Sequence, residues 1–135
     1  MIRQTIYLDR ADGWKITCYY AVTHYEVEEI LQTMERAGAD EESLDRAYGN
    51  LSSGNLNTGL CYSGDGESVL VVSCATSPSQ LLNSIFHESH HASTQIANAL
   101  GWDLMDEEVC YLSGEIGQQM CPVVSHYLCE NCRHK

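Results

Sequence analysis

Hydrophobic positions along the chain change period several times, and each change predicts an element. Residues 4–8 (QTIYL) and 14–22 (WKITCYYAV) are rich in β-branched and aromatic side chains. They flank the turn-forming stretch Asp9-Arg10-Ala11-Asp12-Gly13, which predicts a β-hairpin. A helical period follows, with Val27, Ile30, Leu31, Met34 and Ala37 three and four residues apart. Thr23 stands where it can cap this helix, Glu26 is its capping-box partner, and Gly38 stops it. A shorter acidic helix is expected over 41–48. Residues 56–62 and 68–74 predict a second hairpin around Ser63-Gly64-Asp65-Gly66. The near-continuous apolar run SVLVVSC calls for cover on both faces. Ser77-Pro78 opens a long helix to about Leu100, with Leu82, Ile85, Phe86, Ala92 and Ile96 on its apolar side and Gly101 at its end. A last helix over 105–120 carries Val109, Leu112, Ile116 and Met120, Pro122 interrupts the pattern, and HYLCENCRHK closes the chain. The expected class is α+β: one domain over 1–135, a small and mainly antiparallel sheet packed against helices.

Length and composition support one folded domain. At 135 residues with 44% hydrophobic side chains, the chain is long enough to bury a core without disulfide staples. No apolar run approaches the roughly 18 residues that span a bilayer. The opening MIRQTIYLDRADGWK has no apolar h-region, so no secretory signal is expected. With 7 basic against 19 acidic residues the net charge is −12, which argues against nucleic-acid binding and against attraction to anionic membranes. Eight acids against Arg36 alone over residues 26–45 read as a solvated helix face. Seven cysteines without a leader point to reduced thiols and a cytoplasmic location, with Cys18, Cys61 and Cys74 packed as small apolar groups.

The chemistry is concentrated in the long helix, where His87-Glu88-Ser89-His90-His91 forms an HExxH motif. Residues four apart lie about 40° apart around a helix, one turn along, so His87 and His91 can reach one metal ion from one face. Glu88 lies about 100° round, beside the metal, where it can serve as general base. His90 lies about 60° from His87 on the side away from His91, to touch substrate or face solvent.

An open zinc site needs a third protein ligand. On the following helix, Cys110, Gly114, Gly117 and Cys121 form a stripe of small residues that would let another backbone approach closely. Glu107 lies at the margin of that stripe, about 160° from Val109, whereas Glu108 lies at about 260° and faces solvent. Both acids also suit the helix N-terminus through its dipole. Tyr111 shares the sector of Glu107, either to polarise a carbonyl through its hydroxyl or to sit hydrogen-bonded in the core.

Together SVLVVSC, SPSQLLNSIFHESHHAS and EEVCYLSGEI resemble a minimal zincin of the gluzincin type, similar to small metallopeptidases of bacteria and phages. The resemblance covers residues 68–118, with Cys110 where the family usually has Ala. It implies a zincin-like fold with HExxH on a long central helix. It also implies a zinc cofactor on His87, His91 and Glu107, Glu88 as the base, and a protein or peptide substrate. The strand before the zinc helix, 68–74, would be a sheet edge that pairs with extended substrate. Residues 1–67 then form an N-terminal hairpin and helices, 68–118 the metal-site core, and 119–135 a tail containing Cys and His.

That tail holds one CxxC, so Cys121, Cys129, Cys132 and His134, or His126, would make a second metal site only by folding back. The leading function is zinc-dependent peptide-bond hydrolysis. The alternative is a non-catalytic zincin-like module that binds another protein through its acidic surface. A purely structural zinc would need a fourth ligand, His90 or a cysteine.

Overall fold

Both expected hairpins form, and they meet along their inner strands. The computed structural model describes residues 2–20, 22, 26–53, 59–72 and 77–124. The elements are β1 (Ile2–Leu8), β2 (Trp14–Tyr20), α1 (Val27–Arg36), α2 (Glu41–Ser52), β3 (Leu60–Ser63), β4 (Glu67–Val72), α3 (Pro78–Ala99) and α4 (Glu107–Val124). A 3-10 turn at Asp9–Ala11 joins β1 to β2, and Asp12 and Gly13 follow it with φ of 58° and 77°. Asp and Gly tolerate that left-handed backbone best.

The four strands lie in the order β1-β2-β4-β3. Within each hairpin pairing is antiparallel, but β2 and β4 run parallel, from Lys15 opposite Glu67 to Tyr20 opposite Val72. The sheet is therefore mixed: its two hairpin pairings are antiparallel, as expected of a mainly antiparallel sheet, and the seam between the hairpins is parallel. The cause is the crossover through α1 and α2, which returns the chain to the same end of the sheet before the second hairpin begins. One correction concerns the edge. β4 lies between β2 and β3, so the outer strands are β1 and β3, and the segment that precedes the long helix is not an edge.

Alternation gives the sheet two faces. Ile6, Leu8, Trp14, Ile16, Cys18, Tyr20, Leu70 and Val72 point to one side and form the larger core with α3 and α4. Tyr19, Val69 and Val71 point to the other and pack against Ile30 and Met34 of α1 and Ala47 of α2. Burial of β4 on both faces accounts for its unbroken apolar run.

Helix ends follow side-chain chemistry. Asp40 accepts the Ser43 N–H at 2.8 Å and Ser77 accepts the Gln80 N–H at 3.2 Å. Glu26 occupies the N-cap position of α1 without a side-chain cap bond, and Thr23 lies outside the described residues. α2 runs four residues past the expected end, and α4 continues through Pro122 to Val124. Burial of Met120 and Val124 on the apolar stripe of α4 holds that last turn in place despite the lost backbone donor. Leu82 and Phe86, expected inside, are 52% and 65% exposed. No helix among the described residues is long and apolar enough to cross a membrane.

Candidate metal centre

Three sides of α3 meet different surroundings, and this sorts its chemical residues. Ser89 and Ile85 face α4: a Cβ on Gly117 would lie 3.6 Å from Ile85 Cγ2 and 3.8 Å from Ser89 Oγ, and the Ser89 hydroxyl points to Met120 Sδ at 3.8 Å. Glu88 and Gln95, two turns apart on a common line, face the outer hairpin. His87 and His91 are on the third side, in solvent.

A buried polar chain fixes the second of these sides. Trp14 Nε1 donates to Ser68 Oγ at 2.9 Å, Ser68 and Ser63 hydroxyls are 2.7 Å apart, and Ser63 Oγ donates to Gln95 Oε1 at 2.8 Å. Gln95 Nε2 returns to the Cys61 carbonyl at 3.3 Å. Strands β2, β4 and β3 are thereby bonded in sequence to α3, and the helix cannot roll without breaking the chain. Neither Gln95 nor Ser68 stood out in the sequence. The available signal was the seven-residue spacing from Glu88 to Gln95, which puts both on one helix line.

Glu88 lies two turns before Gln95, next to the metal-ligand candidate His87. It is 6% exposed and lies against Gly59 and the edge of the sheet. A Cβ on Gly59 would run into Glu88 Oε1 and stand 3.1 Å from its Cδ and 3.2 Å from the Val71 carbonyl oxygen. Gly59 thus leaves room for the Glu88 carboxylate where it stands, a role that its position in the sequence does not signal. Burial pushes the Glu88 carboxyl above its ordinary value, and the neighbouring His87 pulls in the opposite direction. His87 Nε2 is 4.0 Å from Glu88 Oε1, Glu88's sole ion-pair contact among the described residues. The His87 and His91 rings stand edge to face with centroids 4.7 Å apart. Two imidazoles one turn apart, open to solvent and flanked by a desolvated carboxylate, are chemically suited to hold a metal ion beside a base.

No family profile, curated protein or solved structure matches this chain. The site therefore rests on its own geometry.

The remaining candidates lie elsewhere. Glu107 is exposed at the first position of α4 and does not join the histidines; among the described residues no three His, Cys, Asp or Glu side chains converge to hold a metal ion. The small stripe does not make the close approach expected of it: Cys110, Gly114 and Cys121 are exposed along a groove, and α4 meets α3 at Gly117, where an added Cβ would make ordinary contact with Ile85 and Ser89, roughly opposite the His87–His91 side on a 100° helical wheel. Glu108 bonds Arg10 at 3.0 Å. Tyr111 is 51% exposed, with the Arg10 guanidinium 5.1 Å from its ring centre, so it is neither a core residue nor part of the histidine site. His90 lines the groove between α3 and α4. Cys18, Cys61, Cys110 and Cys121 are free thiols. Burial pushes Cys18 up to about 12, and burial with the nearby Glu88 charge raises Cys61 further, so both stay protonated near neutral pH. Cys121 is exposed on α4, while Cys74, His126, Cys129, Cys132 and His134 lie outside the described residues.

Proposed function

We propose that this chain is a zinc-dependent peptide-bond hydrolase, with His87 and His91 holding the metal and Glu88 acting as the base. The observation that carries the reading is the buried Glu88 carboxylate, 4.0 Å from the first of two solvent-facing imidazoles one helical turn apart. The resemblance of residues 68–118 to minimal gluzincins supports the same roles. The pair fits a zinc ion as half of a ligand set, and the proposal rests on that pair without Glu107. A bound zinc ion would supply Lewis acidity towards water and the scissile carbonyl. Glu88 would take up a proton at Oε1 and return it to the leaving amine. Its desolvated setting favours the protonated form and so raises its basicity for the first transfer. The side-on position of Glu88, fixed by Gly59 and by the Gln95 anchor, keeps the carboxylate beside the imidazoles.

Zinc titration against a competing chelator, with a peptide-library digest, tests this. His87→Ala and His91→Ala should each abolish uptake. Glu88→Gln should retain uptake and lose cleavage, while Glu107→Ala, from its place on α4, should leave uptake unchanged. A parent chain that takes up no zinc sinks the reading. A second reading, a protein-binding module, is favoured by the exposed acids Glu28, Glu35, Glu41, Glu42 and Asp45 on α1 and α2. Zinc uptake without cleavage of any peptide would select it.

A further inference from the structure

The sheet face turned away from α3 is only partly covered. α1 and α2 pack over Tyr19, Val69 and Val71, which leaves the β1–β2 end of that face open. Strand alternation puts Arg3 and Thr5 of β1 and Lys15 and Thr17 of β2 there, and the last turns of α1 add Thr33 and Arg36. Together they line a concavity of about 420 Å³, a size usual for small-molecule sites.

Charge makes this concavity unusual. In a chain with 19 acids and 7 bases, a cation should find a carboxylate easily. Arg10 has two, Glu108 and Glu115, and Arg3 bonds Glu29 at 3.2 Å. Three described cations, Lys15 and Arg36 of this lining and Arg46 on α2, have no ion pair among the described residues, and Arg36 Nη2 donates to Thr33 Oγ1 at 3.2 Å. The Tyr19 and Thr33 hydroxyls share a hydrogen bond of 2.8 Å, which holds Thr33 in that position. Glu67, in register with Lys15, is the one acid of the lining.

We infer that this concavity binds the phosphoryl group of a small anionic molecule. A phosphate dianion can neutralise Lys15 and Arg36 together, the guanidinium fork taking two oxygens and the ammonium a third. The Thr5 and Thr17 hydroxyls supply neutral donors beside them, and a single carboxylate would leave one cation unmatched. The site lies on the opposite face of the sheet from His87 and Glu88, so it stands independently of the proposed hydrolysis.

Titration of the whole chain with inorganic phosphate and with glycerol phosphate at low ionic strength, followed by amide NMR, tests it. Saturable shifts at Lys15, Thr17 and Arg36 are expected. Binding of glycerol phosphate at least as tight as that of phosphate identifies an organic monoester, and preference for phosphate identifies the free anion. Combining Lys15→Met with Arg36→Met should weaken binding about tenfold or more. Glu67→Gln should tighten it, a change of sign that damage to the fold cannot produce. No saturable shift with either probe across the millimolar range, unchanged binding in the double variant, or weaker binding in Glu67→Gln overturns the inference.

Discussion

Gly59→Ala probes the contact on which the candidate site depends. Gly59 has no left-handed backbone requirement, so alanine is conformationally acceptable there and the whole effect is steric. The new methyl would overlap Glu88 Oε1 and press on the Val71 carbonyl oxygen at 3.2 Å. The carboxylate, the far end of a flexible side chain, must swing off the new methyl, and the Val71 carbonyl must give by a few tenths of an ångström. Overpacking of this kind costs about 1–3 kcal/mol, and relief of the desolvated charge places the figure near the lower end. With a urea m-value of about 2 kcal/mol/M, the midpoint should fall by roughly 0.5–1 M at unchanged slope. The decisive measurement is a double-mutant cycle with Glu88→Ala. Once the carboxylate is gone, Gly59→Ala should cost little, giving a coupling of about 1 kcal/mol or more. Additive effects within about 0.5 kcal/mol would show that Gly59 and Glu88 do not meet, and the placement of the proposed base would fail with them.

Glu88→Gln should also change the pH profile of stability. Burial holds the folded carboxyl above its unfolded value, so its favourable contribution is complete below the unfolded pKa and is lost as pH rises through the folded one. The glutamine variant should be flatter across that window and more stable than the parent above it; urea unfolding over a pH series that shows it less stable at neutral pH would contradict the burial of this charge. Gly114→Ala, in an exposed stretch of α4 where a Cβ meets nothing within 4 Å, should stabilise by about 0.5–1 kcal/mol, read as a higher Tm. Ser77→Ala removes the cap on the Gln80 N–H and should cost about 1 kcal/mol, with faster amide exchange confined to the first turn of α3.

Local chemistry was the legible part of this sequence. Turn residues marked both hairpins, Ser77-Pro78 marked the start of α3, and four-residue spacing put His87 and His91 on one side. What could not be read was which surface each side would meet. The small stripe of α4 suggests close approach to the histidine side, but α4 meets α3 on the Ile85–Ser89 side, and Glu107 does not converge with the histidines. Leu82 and Phe86 look like core residues because they are apolar, yet the sheet and α4 leave them on the rim of the α3–α4 groove. Strand order is equally non-local: nothing within either hairpin states that β2 will pair with β4, or that β3 and not β4 will lie at an edge. Gly59 has meaning only once Glu88 is opposite it.

The parallel seam between β2 and β4 also sets the order of assembly. Each hairpin closes over five or six residues, whereas Lys15 must find Glu67, fifty-two positions away. On a chain-entropy estimate that search costs about 2 kcal/mol more than closing a hairpin. The hairpins and the α1–α2 and α3–α4 pairs are thus the early, fast units, and joining them along the seam is the slow step. Until it is complete, the inner edges of Cys18-Tyr19-Tyr20 and Leu70-Val71-Val72 have unpaired backbone and apolar side chains, and these two segments are where a folding chain is open to association with its neighbours.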